Sequence, residues 1–247
     1  MRLLVTAGNS QTPIDRVRCI TNIFTGRTGA SIARHAHARG HDVTLLTSHP
    51  EVVQVGPTAV GPERWTLKTY RTFDDLHTQL EPLIRQSKLD AIIHCAAVSD
   101  FRTAGIYAPA SGTRLDESEH WVSDRAGPPA LVDRSAGKVK SDEPELWLRL
   151  VRTPKLIDRF RGAWGFQGIL VKFKLEVGLD DDHLLVVAER SRVESAADMM
   201  VANTLEGAPH WAYIGPIQNG YQKISRRDLA PRLLEEVESL LGKKNHG

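Results

Sequence analysis

A chain of 247 residues, 41% of them hydrophobic and 25% charged, is long enough to bury the core of one large α/β domain. A formal net charge of +2 excludes a general nucleic-acid binder, so any basic patch must be local. The two cysteines, Cys19 and Cys95, leave room for at most one disulfide and exclude a disulfide framework or a zinc cluster. No apolar stretch approaches the length of a membrane span, and the apolar run near Met1 is too short for a secretory signal core. A cytoplasmic location is the default expectation.

In chain order, residues 3–6 are short, apolar and followed by Gly8, which predicts a buried strand. Residues 7–26 are polar and contain Pro13 and two asparagines, so a loop is expected there. A helix is predicted over 28–39, with Ala30, Ala33 and Ala36 on its sheet-facing side and Gly40 as its stop. Strands follow over 42–47 and 65–70, a helix over 73–86 and a buried strand over 91–95. A strand is predicted over 146–151, and Pro154 is expected to open a helix at its first turn. The pattern ends with a strand over 168–175, a helix over 180–195, a strand over 199–202 and a helix over 229–241. This alternation predicts an α/β fold: a Rossmann-like, doubly wound, mostly parallel sheet with helices on both faces.

Two stretches break the rhythm of what reads as a single domain over 1–247. Residues 52–63, rich in Gly, Pro and Val, are expected to form a surface excursion. Residues 101–137 show little periodicity and are expected to be a lid or insert. The second stretch follows a strand end, where α/β proteins place their sites.

The first candidate site is Gly8 together with Gly26-Arg27-Thr28-Gly29 at a helix start. Free main-chain N–H groups and the helix dipole favour an anion there, glycine permits close approach, and Arg27 adds a fixed charge. An ordinary strand-to-helix turn uses the same residues. A nicotinamide dinucleotide site is the rival. It requires glycines spaced G-x-G-x-x-G directly after the strand, whereas residues 9–25 intervene here. The Tyr-x-x-x-Lys pair of short-chain dehydrogenases is also absent. Asp74, Ser111, Ile217 and Ser225 stand four places after Tyr70, Tyr107, Tyr213 and Tyr221.

The intervening loop carries the most specific signal. Thr6-Ala7-Gly8, then Pro13-Ile14-Asp15-Arg16-Val17-Arg18, then Asn22 and Gly26-Arg27-Thr28-Gly29, stand in one run. This resembles the phosphopantothenate–cysteine ligases (phosphopantothenoylcysteine synthetases), whose motif reads T-A-G-G-T-x-x-P-I-D-x-V-R-x-I-x-N-x-S-S-G-[KR]-x-G. Ala96-Ala97-Val98-Ser99-Asp100-Phe101 is similar to the family's A-A-V-[AS]-D-[FY], and Lys138-Val139-Lys140 to its K-I-K. Thr153-Pro154-Lys155 resembles N-P-[DK], and Phe173 lies in a matching strand. Ala197-Asp198-Met199-Met200-Val201-Ala202-Asn203 is similar to A-D-x-I-V-A-N. These motifs keep family order across nearly the whole chain. As no flavoprotein decarboxylase segment precedes them, the resemblance implies a monofunctional form.

The resemblance implies a ligase of coenzyme A biosynthesis that activates 4'-phosphopantothenate as an acyl-nucleotide and then accepts cysteine. Mg²⁺ and a nucleoside triphosphate, CTP more than ATP, are the implied cofactor and co-substrate, and a homodimer the implied assembly. The partners expected are small molecules, with neither nucleic acid nor membrane among them. By the same resemblance Asn22 and Lys138 are catalytic. Gly8, Gly26, Arg27, Gly29, Ala96, Ala97, Asp100, Pro154, Phe173 and Arg190 bind the nucleotide. Asp15, Arg18, Asn22 and Asn203 bind the substrate, and no protein metal site is implied. Plainer readings stand beside these: a turn for Asn22, a solvated lysine for Lys138, a helix cap for Asp100 and plain core for Phe173. A divergent homologue for another carboxylate and a non-catalytic nucleotide-binding module are the alternatives.

Departures from the motif are specific. Asn9 and Ser10 replace Gly-Thr, and Asn9 is expected to tolerate a left-handed turn. Phe24 replaces a serine. Ser191 and Ser195 stand on a helix where family members often carry lysines. Residues 101–137 form a longer insert than the family usually has.

Overall fold

The computed structural model describes residues 1–53, 62–218 and 220–246. Strand β1 (Arg2–Ala7) is followed by a short hairpin, β2 (Gln11–Pro13) and β3 (Cys19–Thr21), and by helix α1 (Arg27–Ala38). Then come β4 (Asp42–Thr47), β5 (Trp65–Thr69), α2 (Phe73–Gln86) and β6 (Ala91–His94). Five strands follow: β7 (Phe101–Pro109), β8 (Thr113–Leu115), β9 (Trp121–Ser123), β10 (Leu131–Asp133) and β11 (Trp147–Arg152). The chain continues through α3 (Ile157–Arg161), β12 (Ile169–Glu176), α4 (Asp181–Glu194), β13 (Met199–Thr204), β14 (Trp211–Ile217), β15 (Gly220–Ser225) and α5 (Leu229–His246). Met1–Ser10, Ile23–Val98 and Lys155–Gly247 make one compact unit, and Gln11–Asn22 with Ser99–Pro154 a second.

The first unit is built on one eight-stranded sheet in the order β15-β14-β13-β12-β6-β1-β4-β5. The six strands from β13 to β5 are parallel, and β14 and β15 join antiparallel at one edge. Strand alternation sorts the core onto two faces. Leu3, Val5, Ile93, Val171 and Val201 pack with Ala30, Ala33 and Ala36 of α1 and with Leu233 and Val237 of α5. On the other face Leu4, Leu46, Ile92 and Leu170 pack with Leu76 and Leu80 of α2 and Phe160 of α3. Met200 and Ala202 meet Leu184 and Ala188 of α4. The expected mostly parallel sheet with helices on both faces is therefore present. Thr72 opens α2 with a capping box, accepting from Asp75 N–H at 3.2 Å while the Asp75 carboxylate accepts from Thr72 N–H at 2.9 Å.

The edge pair β14–β15 was not expected from the sequence, because Gly215-Pro216 and Gly220 punctuate an otherwise alternating run. Pro154 does not open a helix: α3 starts at Ile157 with Leu156 as its N-cap, and Pro154 remains in the preceding segment.

In the second unit β7 lies between β10 and β11, antiparallel to both, with Trp147 opposite Tyr107 and a bulge at Arg149/Leu150. The stretch expected to be an aperiodic insert thus carries strands β7 to β10. The expected loop before α1 carries a hairpin in which Pro13 pairs with Cys19. The excursion expected over 52–63 falls largely on residues 54–61, which lie outside the described residues.

Candidate active site

In the first unit the strand order reverses between β1 and β6, and at such a point a crevice opens outside the strand ends. The chain segments leaving these two strands are tied together. Ala97 N–H donates to Gly8 O at 2.8 Å, Ser10 N–H to Ala97 O at 3.1 Å, and Asn9 bridges to Ala97. Gly8, Ala96 and Ala97 are thereby adjacent. Gly8 and Gly26 adopt left-handed backbones, with φ of 82° and 80°. A Cβ on Gly26 would strike Gly8 N and lie 2.8 Å from Gly8 Cα. One on Gly29 would stand 2.7 Å from Ala7 Cβ. The start of α1 thus rests directly on the end of β1, and these glycines are required by packing alone.

The turn does not use Asn9 as its left-handed residue. Gly8 takes that role, while Asn9 is buried, its N–H donating to Ser48 Oγ at 2.9 Å. The first turn of α1 has no side-chain cap and no acidic residue. The positive end of the dipole, with the first-turn N–H groups other than that of Gly29, favours an anion there. Sequence reasoning missed a second cation at this turn, because no motif surrounds Arg226. Its guanidinium donates to Thr28 Oγ1 and joins Arg27 at the helix start.

The floor of this region is buried and neutral. The Tyr70 hydroxyl donates to Ala7 O at 2.8 Å, and burial pushes its phenol up. Burial also pushes the Cys95 thiol up to about 12, and this protonated thiol accepts from Gly29 N–H. His94 lies against Thr6 Oγ1 at 2.9 Å. Burial, and then the Lys172 charge, pull its pKa down to about 4.

The other expected residues of this unit are more dispersed. Phe173 on β12 packs against the core of the α1 face. Asn203 on β13 is buried beside Leu175. Arg190 on α4 is 73% exposed, with Glu194 at 3.9 Å. Ser191 and Ser195, on the helix where family members often carry lysines, receive a lysine from the sheet. Lys172 Nζ donates to Ser191 O at 2.9 Å and to Ser195 Oγ at 3.2 Å.

In the second unit Arg18 donates from Nε and Nη2 to one Asp15 oxygen, Oδ2, at 3.1 and 2.7 Å. Both residues bond the main chain of Val139, which brings the Lys138 segment to the β2–β3 turn. The Arg18 guanidinium and the Val17 N–H hold the Asp15 carboxyl well below the usual carboxylate range. Lys138 is exposed, as is Asn22 just beyond β3. Asp100 caps no helix, since strand β7 follows it. Its carbonyl instead accepts from Thr153 N–H at 2.9 Å, fastening the segment that leads to Pro154. Among the described residues no group of three or more His, Cys, Asp or Glu is placed to hold a metal ion. Among them, too, no helix is long and apolar enough to cross a membrane.

Residues 1–109 match the family described as DNA/pantothenate metabolism flavoprotein C-terminal domain. The coenzyme A biosynthesis bifunctional protein CoaBC of Thermococcus kodakarensis is 30% identical over 97% of this chain and 51% of its own. The protein of the same name from Vibrio vulnificus is 31% identical over 97% of this chain and 52% of its own. The chain therefore spans about half the length of the curated relatives it matches. Among solved structures, the DNA/pantothenate metabolism flavoprotein from Streptococcus pneumoniae superposes with a TM-score of 0.77 at 26% identity, covering 97% of this chain and 99% of that one. A Cab2 mutant in complex with phosphopantothenate-cysteine shares the fold at TM-score 0.67 and 18% identity, over 98% of this chain and 86% of that one.

Proposed function

We propose, from the match of residues 1–109 to the DNA/pantothenate metabolism flavoprotein C-terminal domain family, that the chain joins 4'-phosphopantothenate to cysteine. The observation that carries the reading is the packing of Gly8, Gly26 and Gly29 beside Ala96–Ala97 at the switch point of the sheet, under an uncapped helix start. A polyanion fits such a place.

In the proposed reaction the substrate carboxylate attacks the α-phosphorus of a nucleoside triphosphate. An acyl–O–P bond forms, the bond to the β-phosphate breaks, and pyrophosphate leaves. The cysteine amine then attacks the acyl carbon and loses a proton as the C–N bond forms, and nucleoside monophosphate departs. Gly8, Gly26, Gly29 and Arg27 cradle the phosphates, while Lys138 neutralises charge as pyrophosphate forms. Asn22 holds the acyl-phosphate with a neutral amide. Ala96, Ala97, Asp100, Pro154, Phe173 and Arg190 serve the nucleotide, and Asn203 the substrate end. Mg²⁺ arrives bound to the triphosphate and keeps several of its waters. CTP over ATP, a homodimer and a cytoplasmic setting complete the reading.

A divergent homologue that activates another carboxylate is the second reading. Asn9 and Phe24 favour it, since both add bulk where the family motif has Gly and Ser.

The test is pyrophosphate release by purified protein with Mg²⁺ and phosphopantothenate, with CTP and ATP supplied separately, with and without cysteine. Release that needs phosphopantothenate, with ligated product only when cysteine is present and none from Asn22→Ala, is the expected result. Folded protein that releases nothing with either nucleotide sinks the ligase reading.

A further inference from the structure

The segment from 134 to 146 contains no regular element, yet it holds the exposed Lys138 and Lys140 on either side of the buried Val139. Its fixed points come from a distant part of the sequence, the five-residue turn between β2 and β3. Asp15 Oδ2 accepts from Val139 N–H at 3.1 Å, and Arg18 Nη2 donates to Val139 O at 2.9 Å. Arg16 N–H donates to Gly137 O at 3.0 Å. Both main-chain groups of Val139 are therefore held by one ion pair.

The turn itself is organised around the same carboxylate. Asp15 Oδ1 accepts from Val17 N–H at 2.9 Å and from Arg18 N–H at 2.8 Å. Ile14 N–H and Asp15 N–H close the turn on Arg18 O at 2.9 and 3.3 Å. The Asp15 side chain is 0% exposed and that of Arg18 45%. An ionised carboxylate out of solvent, receiving main-chain donors on both oxygens and a guanidinium fork, is a rigid node. Removing its charge leaves three main-chain N–H groups and the guanidinium without their strongest acceptor.

We propose that Asp15 and Arg18 are positioning residues: a latch that fixes the extended segment 137–140 and so sets where the Lys138 ammonium stands. Val139 is buried there, and Lys138 and Lys140 on either side of it are exposed. The latch acts on Val139 and reaches Lys138 only through the main chain. Its effect on turnover rests on the ligase reading, whereas its effect on the segment does not.

Full-length protein carrying Asp15→Asn or Arg18→Lys tests the latch. The first readout is tryptic cleavage after Lys138 and Lys140, followed by mass spectrometry, together with hydrogen exchange at the Val139 amide. Both variants should cleave about tenfold faster there or more, with Arg18→Lys the milder because one donor remains. Exchange across α1 and β12 should stay unchanged, which guards against general unfolding. Unchanged cleavage and exchange at 137–140 in both variants overturns the latch. The second readout is pyrophosphate release. Asp15→Asn should lower kcat more than it changes the KM for the nucleotide, and should add nothing in a Lys138→Gln background. A kcat loss that persists undiminished in Lys138→Gln shows that Asp15 does not work through Lys138. Wild-type protein without activity removes the ligase reading and leaves the cleavage result standing.

Discussion

The two units are ordered by different forces. In the first, β1 sends Leu3 and Val5 to one core and Leu4 to the other, and all three are buried to within 1%. In the second, comparable side chains stay outside: Leu131 is 43% exposed, Leu150 42% and Trp147 38%. Polar side chains bonded to main chain and to one another provide much of its order. Thr12 Oγ1 meets Ser99 Oγ at 3.1 Å and Phe101 O at 3.0 Å, Thr153 Oγ1 donates to Ser99 O at 2.7 Å, and Asp15 holds Val139. Burial secures one unit and specific polar bonds the other, so each should fail under a different perturbation.

The largest effect is expected from removing a ring from the first unit. Phe160 is fully buried, edge-on to His94 at 5.1 Å and stacked near Trp164 at 5.4 Å. Phe160→Ala should cost about 3–5 kcal/mol. Leu131→Ala, at an exposed site of the second unit, should cost within about 0.5 kcal/mol. Urea unfolding read by hydrogen exchange in each unit measures both. Equal losses would erase the contrast.

The same contrast explains what was legible in the sequence. The strands at Asp42–Thr47 and Ala91–His94 and the helix at Phe73–Gln86 follow from periodicity, because each buries a continuous stripe. The hairpin at 11–21 and the short strands within 101–137 leave no such trace, since β2, β3, β8, β9 and β10 span three residues each, too few to bury a continuous stripe. The glycines Gly8, Gly26 and Gly29 were legible as a motif, but their immediate cause is the contact between α1 and β1. Arg226 was not legible, because only the fold carries it to Thr28. The engagement of Asp15 and Arg18 with Val139 was hidden for the same reason: residues 19–138 separate the partners.

Acid should separate the two units. His94 is held neutral in the folded chain, with its pKa near 4 against an ordinary 6.5. Its contribution to stability is complete above pH 6.5 and is lost as pH falls from 6.5 to about 4, because the unfolded chain takes up the proton first. The loss should reach about 3 kcal/mol, and His94→Gln should flatten the slope over that window. Asp15, whose pKa is lowered, contributes above the ordinary carboxylate range, and its bonds are lost only at pH values below that range. Hydrogen exchange at pH 4.5, corrected for intrinsic rates, should find the β-sheet of the first unit weakened and the Val139 amide still protected. Loss of protection at Val139 by that pH would mean that the carboxylate is not held as the geometry indicates.

The smallest effect probes a substitution in kind within the first unit. Helix α4 ends without the lysines that family members often carry there, and Lys172 on β12 donates to Ser191 O and Ser195 Oγ instead. A cation at the C-terminal end of a helix satisfies free carbonyls and opposes the dipole. Lys172→Met keeps the apolar stem and removes the charge, so it should cost about 1 kcal/mol. It should also raise the His94 pKa, since the Lys172 charge is one of the two influences lowering it. Nuclear magnetic resonance titration of His94 and thermal unfolding measure both. If Lys172→Met left stability and the His94 titration untouched yet abolished nucleotide-dependent pyrophosphate release, the ammonium would be serving a ligand. The lysines absent from α4 would then have been replaced in function as well as in charge.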